Sequence, residues 1–546
     1  MAQPGEGFDY ESRPSRPSNA HSRFKSKEGG VPSYDHHGAT PAEADDLLNV
    51  LGYQSELTRT RSTWQVAFMS FVLASVPYGL ATTIYYPLIG GGPSAVIWGW
   101  VTVCSIMACV AISLGEITSV YPTAGGVYYQ TYMLSPPRFR TITAWICGWA
   151  YVLGNITITL AVNFGTTLFI VGCVNIFENG DGEGVWDPPD WQVFLVFVAI
   201  TLLCNFIAGG FNKWLPILDT FAVFWTFSGV IAIVICTLVI AKGGRRSASY
   251  AFGAVETNSG WIPGWSWCIG LLHGAYATSA TGMIISMCEE VREPATQVPK
   301  AMVGTIFLNM ACGFIFLVPL VFVLPPIEDV LAAPSPVPYI LKISIGNNGG
   351  AFALTVPILV LSILCGVCCT TASSRATWAF ARDGAIPGSR WWKTVSPRLD
   401  VPFNAMMLCM TVEIILGVIY FGSVAAFNAF SGSGVIFLTI SYTMPILVSL
   451  LTGRKALSQG HYDFGVFGII CNCIAIAWCL FIVPLFSMPA YLPTTADTMN
   501  YASVVFVGGV TVSAAWYFIW GRANYQGPPA KEEDVARRRS SVISNH

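Results

Sequence analysis

Two segments rich in small and hydroxylated residues interrupt otherwise apolar stretches of the chain. Residues 74–83 contain Pro77, Tyr78 and Gly79, and residues 273–282 contain Tyr276. Interrupted helices expose N–H groups to an anion and carbonyl groups to a cation, so they bind a zwitterion or organic cation without a fixed buried charge. The tyrosine rings add an aromatic face for an ammonium group, worth about 0.5–2 kcal/mol. The alternative is that the small residues only allow close helix packing.

The composition places these segments in a membrane protein. The 546 residues are 53% hydrophobic and 11% charged, with a mean hydropathy of +0.58. Soluble chains carry about 25% charged residues. A net charge of -2 without a basic domain excludes nucleic acid as a partner. The 16 cysteines lie mostly in apolar runs, where Cys is a small hydrophobe, and we expect no metal and no cofactor.

Twelve apolar runs approach the ~20 residues that a membrane-spanning helix needs. This predicts an all-α polytopic membrane protein with a twelve-helix domain over residues 61–521. The polar residues 1–60 are expected to be a disordered tail, and residues 522–546 a second tail. The runs are 64–88, 94–115, 142–173, 191–209, 214–241, 268–288, 301–324, 350–374, 403–421, 430–451, 465–487 and 500–520.

The distribution of basic residues predicts the orientation. With a cytoplasmic N-terminus, all but four of the 28 Lys and Arg residues fall in the tails and on one side of the spans. Positive residues favour the cytoplasmic side, so both termini are expected there. The exceptions are Lys242, Arg245, Arg246 and Lys342. We expect the protein to lie in the plasma membrane, with the vacuolar or another internal membrane as the alternative. Membrane lipid is then a partner. The sequence does not predict the oligomeric state.

The interrupted spans, the first and the sixth, are five spans apart. This spacing predicts an inverted repeat of spans 1–5 and 6–10, followed by two extra helices, with a binding site where the interruptions meet. Span 3 adds a polar stripe, from which we select Asn163 as the residue that faces the pathway. The candidate substrate-binding residues are Ser75, Tyr78, Gly79, Ala81, Thr82, Asn163, Tyr276, Thr278, Thr281 and Gly282.

Placing an ionisable residue within a membrane span costs free energy, so such residues are functional candidates. Glu413 near the middle of span 9 is a candidate proton carrier, although a packing or oligomer contact is an equal alternative. His273 in span 6 is either a coupling residue or an interfacial side chain. Hydroxyl residues of span 8 lack a nearby carboxylate, which favours protons over sodium as the coupling ion.

Three motifs follow spans 2, 6 and 8: GEITSVYPTAGGVY at 115–128, EEVREPATQVPKA at 289–301 and FARDGAIP at 380–387. Together they closely resemble motifs of the amino acid–polyamine–organocation transporter superfamily, over about residues 50–520. Residues 52–57 and the loop at 90–93 look like the fungal branch of GABA, choline and amino-acid permeases. The first interruption departs from the G-x-G pattern of many members, so the substrate of bacterial carriers is not transferred to this chain.

The motifs place carboxylates and cations around the predicted cytoplasmic mouth, either as ion pairs that close an inner gate or as fixed loop structure. The gate or coupling candidates are Glu116, Glu289, Glu290, Arg375, Arg382, His273 and Glu413, and Arg292 lies among them. The resemblance implies a secondary transporter of a small amino acid or amino compound such as GABA, choline or polyamine, working by alternating access, and we expect it to be proton-coupled. Transport of a specialised metabolite or its amino-acid precursor is the alternative; an enzyme or channel is disfavoured because neither a catalytic constellation nor a filter is evident.

Overall fold

Twelve long apolar helices form the protein in the computed structural model, which describes residues 41–179, 184–241, 244–421, 424–495 and 499–529. Within these ranges regular secondary structure is helical, with isolated bridges only, so the predicted all-α membrane fold is confirmed. The spans, numbered 1 to 12, are Thr63–Thr83, Tyr85–Val120, Arg140–Val174, Asp190–Gly210, Asn212–Ile240, Pro263–Glu290, Pro294–Phe322, Asn348–Arg382, Phe403–Phe421, Ala429–Leu451, Gly465–Ser487 and Ala502–Asn524.

The spans differ in how deeply they lie within the protein. Within the most apolar 18-residue stretch of each span, 89% is buried in span 6 and 11% in span 12. Large apolar side chains on peripheral spans, such as Phe224, Leu480 and Ile519, are exposed. An apolar surface of this kind matches lipid rather than water. Spans 1 and 6 therefore form the interior of the molecule, and the peripheral helices separate it from the bilayer.

The two ends of the helix bundle are built differently, and we name them by span 1. The proximal end is where span 1 begins at Thr63, and the distal end is where it ends at Thr83. Short helices Pro41–Val50, Gly126–Leu134 and Ser389–Trp392 lie at the proximal end, and Ala248–Gly253, Ile327–Ala332 and Pro336–Ile345 lie at the distal end.

Residues 41–60 differ from the predicted disordered tail. They contain the helix Pro41–Val50, and Leu48, Leu51, Tyr53 and Leu57 are buried. These apolar residues are too few to form an apolar run, but they pack against the proximal end and order the segment. The prediction is therefore wrong for residues 41–60, and its remainder, residues 1–40, lies outside the described residues.

The boundary between spans 1 and 2 also differs from the prediction. Residues 85–93, assigned to the end of span 1 and a loop, begin the long helix Tyr85–Val120. That helix kinks at Gly92, whose φ of 62° and ψ of -150° suit glycine only, and Pro93 follows without an N–H to donate. The kink allows one helix to continue where the sequence indicated a turn.

Candidate functional site

Span 1 is broken at Ser75 in the middle of the molecule. The helix Thr63–Ala74 ends there and the helix Val76–Thr83 begins, because Ser75 adopts a left-handed conformation with φ 39° and ψ 51°. This conformation is rare outside glycine, and Pro77 supplies no N–H to continue the hydrogen-bond ladder. The Ser75 hydroxyl is buried and has no hydrogen-bond partner among the described residues. The break thus leaves polar backbone and side-chain groups within the membrane interior.

Span 6 changes its helix type opposite this break. The α-helix Leu271–Thr278 passes into a 3-10 helix, Ser279–Glu290. A 3-10 run of this length is uncommon, and in mid-helix it often marks a hinge. The two spans approach closely, since a Cβ atom on Gly79 would lie 3.2 Å from the Ala277 Cβ. The two interruptions therefore meet, as the inverted-repeat spacing predicted.

A small central cavity of about 20 Å³ lies between the interruptions. This volume admits about one water molecule, so a substrate would need the cavity to widen. Its lining includes Ser75, Tyr78 and Gly79 of span 1, Ile158 and Val162 of span 3, Tyr276, Ala277, Ser279 and Ala280 of span 6, and Cys365 of span 8. Tyr78 is fixed at its edge, because its hydroxyl donates to the Val162 carbonyl at 2.8 Å.

A larger cavity of about 260 Å³ lies on the distal side, and Tyr276 lines both cavities. Aromatic, hydroxyl and proline side chains form most of its wall, including Thr82, Tyr85, Tyr86, Phe164, Phe169 and Ser335. No Asp, Glu, Lys, Arg or His of the described chain lines either cavity. Tyr276 thus separates a distal vestibule from the central cavity.

The structure divides the predicted binding residues into three groups. Ser75, Tyr78, Gly79 and Tyr276 line the central cavity, while Ala81 and Thr82 line the distal one. The other four residues line neither cavity. Thr278 and Thr281 donate to carbonyls of their own span, Gly282 packs against the Tyr442 ring, and Asn163 contacts Thr201 and Glu413.

Several lining residues were missed by the sequence reasoning. Ile158 and Val162 belong to span 3, where attention went to the polar stripe, and Cys365 belongs to a group assigned to packing. The Cys365 thiol contacts the Leu73 carbonyl at 3.6 Å, next to the break in span 1. Apolar residues in an apolar helix give no signal of which face they occupy, so only the packing of the spans reveals them.

Buried ion pairs join span 6 to span 8 at the proximal end. Arg382 binds Glu289 through two hydrogen bonds of 2.8 and 3.0 Å. Arg375 donates from Nε to Glu290 at 2.8 Å, and its guanidinium also reaches the Asn212 side chain at 3.0 Å. Both carboxylates are at most 4% exposed. The motif residues predicted as gate candidates therefore do form pairs with one another.

Arg61 also takes part in these buried ion pairs, although it was not among the predicted gate residues. It lies just before span 1, is 1% exposed, and binds Asp219 of span 5 at 2.8 Å and Glu290 at 3.5 Å. Glu290 is thus shared by Arg61 and Arg375. Arg292, by contrast, is exposed and forms no ion pair in the described part of the chain. We call Arg61, Asp219, Glu289, Glu290, Arg375 and Arg382 the proximal cluster.

Glu116 belongs to a separate pair at the same end. It is buried at the end of span 2 and binds Arg454, which follows span 10, at 2.7 and 3.1 Å. It also accepts the backbone N–H of Phe464 at 2.7 Å. Glu116 therefore fastens the loop between spans 10 and 11.

Residues 51–61 form a strap across the proximal end. The Tyr53 hydroxyl contacts both Asp383 oxygens, at 2.8 and 2.9 Å, and the Arg382 guanidinium lies 4.0 Å from the Tyr53 ring centre. Arg59 donates to the Val291 carbonyl at 2.7 Å, just beyond span 6. Burial raises the pKa of Asp383 to about 6, although Arg382 and the tyrosine hydroxyls oppose the shift.

Two ionisable residues lie within spans, away from these pairs. His273 is fully buried in span 6 near the Leu80 backbone, and neither ring nitrogen forms a hydrogen bond of good geometry with the described residues. It therefore does not lie at an interface. Glu413 is 1% exposed and is packed inside the protein, with Asn163 as its neighbour.

Comparison with known proteins adds the deciding observation, because the model of the amino acid permease family matches residues 62–510. The chain belongs to the amino acid permease family. The permease is therefore a transporter rather than an enzyme, and the resemblance read from its three motifs is confirmed.

Named relatives cover most of the permease. It is 28% identical over 483 residues to a choline transporter of Saccharomyces cerevisiae, covering 88% of this chain and 84% of the relative. It is 28% identical over 522 residues to the GABA-specific permease of the same yeast, covering 94% and 90%. The yeast polyamine transporter TPO5 is 29% identical over 471 residues, covering 84% and 75%.

Proposed function

We propose that the permease carries a small amino compound, such as GABA, choline or a polyamine, across the membrane by alternating access. The observation that carries this proposal is the meeting of two interrupted spans at a central cavity, at Ser75 and at Ser279. The relatives that transport choline, GABA and polyamines support the same class of substrate.

The lining favours a substrate with an ammonium group. Neither cavity presents a charged side chain within the described chain, so an amino compound would be bound by backbone groups and rings. Tyr276 lies between the two cavities, and a cation against a tyrosine face gains about 0.5–2 kcal/mol. Its movement would join the vestibule to the central cavity and give the substrate room.

The proximal cluster is the proposed gate on the opposite side. Its pairs connect spans 1 and 6 to spans 5 and 8, so the interrupted spans cannot swing away at this end without breaking them. In this proposal the carrier is closed proximally, and the larger of the two cavities lined by Tyr276 is the distal one. We place the proximal end in the cytoplasm, because the basic residues concentrate there.

We further propose that the proton gradient drives transport. The hydroxyls of Thr371 and Ser374 in span 8 donate to carbonyls of their own helix, and no carboxylate lines the central cavity in the described residues. A sodium site of oxygen ligands lacks support here. Inward movement of one proton supplies about 2.3 kcal/mol per 100 mV.

The test is uptake by purified permease in proteoliposomes. Radiolabelled GABA, choline, spermidine and amino acids are offered with and without an inward pH gradient, and protein-free vesicles are the control. We expect gradient-dependent accumulation of at least one amino compound. The absence of flux for every one of them would refute the proposed function.

The binding site is tested by Gly79→Val. The added side chain would meet Ala277, whose Cα lies 3.3 Å from the Cβ position, and would fill the central cavity. We expect transport to be lost while membrane insertion and monodispersity persist. Gly304→Val is the matched control, because a Cβ at Gly304 meets no atom within 4 Å. Normal transport by the Gly79→Val variant would place the site elsewhere.

A further inference from the structure

Glu413 is a buried carboxyl group that the proposed gate and binding site do not use. It lies on span 9 and is 1% exposed. Its Oε2 accepts from the Asn163 Nδ2 at 3.5 Å, and its Oε1 has no hydrogen-bond partner among the described residues. No ion pair of the described chain includes it, unlike the carboxylates of the proximal cluster. An ionised carboxylate that is buried without a cationic partner costs free energy, and protonation removes that cost.

Several acceptor oxygens in the region of Glu413 lack a hydrogen-bond donor in the described structure. The titratable groups facing it are the Cys204 thiol of span 4 and the Cys409 thiol of its own span, and neither is a cation. Span 3 presents Asn163, and span 8 presents Gly366, against which the Asn163 Oδ1 is packed. The Oδ1 atoms of Asn163 and Asn205 also lack donors in the described structure. A proton on Glu413 would add one donor to this acceptor-rich cluster.

This cluster is connected to the central cavity through spans 3 and 8. Val162, next to Asn163, lines the cavity and accepts the Tyr78 hydroxyl at 2.8 Å. On span 8, a Cβ at Gly366 would lie 2.7 Å from the Asn163 Oδ1, and its neighbour Cys365 also lines the cavity. A shift of Asn163 is thus transmitted to both walls of the substrate site.

We propose that Glu413 is the proton-binding residue that couples transport to the pH gradient. One proton adds to the carboxylate from the distal side, forming an O–H bond, and leaves to water on the proximal side, breaking it, so that each cycle moves one proton and returns the chain to its starting state. Protonation adds a donor beside Asn163 and so alters the span 3 and span 8 walls of the cavity. This inference rests on the proposed function, because it needs a transported amino compound.

The experiment compares wild type with Glu413→Gln and Glu413→Asp in proteoliposomes, using the labelled compound that wild type accumulates. Glutamine keeps the shape and supplies a permanent donor but cannot release a proton. We expect E413Q to lose at least ten-fold in pH-driven accumulation while exchanging labelled for unlabelled compound across the membrane at a rate within three-fold of wild type. E413D should recover part of the pH-driven accumulation.

Thr201→Val is the matched control, because it removes the hydroxyl that contacts Asn163 without removing a titratable group. It should keep the pH response. Infrared difference spectra between high and low pH should contain a protonated-carboxyl band in wild type that is missing in E413Q.

Full pH-driven accumulation by E413Q would overturn the inference, and so would a protonated-carboxyl band in E413Q that equals the wild-type band. Equal loss of exchange and accumulation in both E413Q and E413D would also overturn it, because that result would indicate a structural role. Accumulation without any pH dependence in wild type would refute proton coupling and this assignment together, but would leave the proposed amine transport intact.

Discussion

The proximal and distal ends of the permease are held together by different forces. At the proximal end, six charged residues from three spans and the strap form buried pairs. At the distal end the vestibule is lined by aromatic, hydroxyl and proline side chains, and the described ion pair there is Lys342 with Glu178 in a partly exposed position. Charge-assisted pairs fix both geometry and partners, whereas apolar contacts are non-directional. This contrast agrees with the proposed gate at one end and the proposed substrate entrance at the other.

The energetic consequences differ accordingly. Removing one partner of a buried pair is strongly destabilising, by about 3–5 kcal/mol, because the other charge stays buried without compensation. An exposed pair contributes about 0–1 kcal/mol. The four predictions that follow test this contrast, beginning with the largest effect.

Glu290→Gln should have the largest effect, because it leaves both Arg61 and Arg375 with one partner fewer. We expect the proximal closure to weaken by about 3–5 kcal/mol. A cysteine introduced at Ser286, buried near this end, should then react with a membrane-impermeant thiol reagent from the proximal side, and transport should fall. The reporter is placed in a background whose reactive native cysteines are replaced. Unchanged reactivity in a well-folded variant would mean that the pairs do not close the pathway.

The second prediction concerns the strap and its pH dependence. The folded pKa of Asp383 lies at about 6, above its ordinary value of 3.8. The stability that this group contributes is therefore complete below pH 4 and is lost as the pH rises through 6. A shift of about two units corresponds to at most about 3 kcal/mol. Hydrogen exchange of residues 51–61 should quicken over this interval, after correction for intrinsic rates, and Asp383→Asn should flatten the response. A pH-independent strap in wild type would contradict the assignment.

The third prediction tests the aromatic end. Tyr276→Leu keeps an apolar side chain but removes the ring between the two cavities. Loss of a cation–π contact of about 0.5–2 kcal/mol should raise the KM about two- to thirty-fold. Tyr276→Phe retains the ring and should remain within about two-fold of wild type. Equal KM values for leucine and phenylalanine would show that the ring does not contact the ammonium group.

The smallest effect is expected from Glu178→Gln. Its Lys342 pair is at the distal end and the Glu178 side chain is 45% exposed. We expect the melting temperature and the uptake rate to change little, because such a pair contributes about 0–1 kcal/mol. A loss as large as that of Glu290→Gln would remove the difference between the two ends.

Much of this organisation was predictable from the sequence, for identifiable reasons. Long apolar runs have to cross the membrane, and Pro and Gly have to interrupt them, so the spans and the meeting point of spans 1 and 6 followed. The pairing of Glu289 with Arg382 followed from the motifs after spans 6 and 8, which lie at the same end of the helix bundle, and Glu290 and Arg375 were candidates beside them.

The remaining features depend on three-dimensional packing. Arg61 precedes the first apolar run and belongs to none of the three motifs, and only the fold brings it to Asp219 and Glu290. Thr278 and Thr281 looked like ligands, but each hydroxyl is satisfied by a carbonyl of its own helix. The composition of an apolar helix does not show which of its faces points inward. Ile158 and Val162, rather than Asn163, line the central cavity from span 3.

The sharing of Glu290 by two arginines has a kinetic consequence. Because Arg61 enters from the strap and Arg375 from span 8, both contacts have to separate before either side moves freely. When the Arg375 contact breaks first, Arg375 stays buried with only the uncharged partners Ser374 and Asn212, so this intermediate is sparsely populated. Under the proposed gating, opening at this end would need the charge pairs to separate together, and we expect the turnover of the permease to rise steeply with temperature.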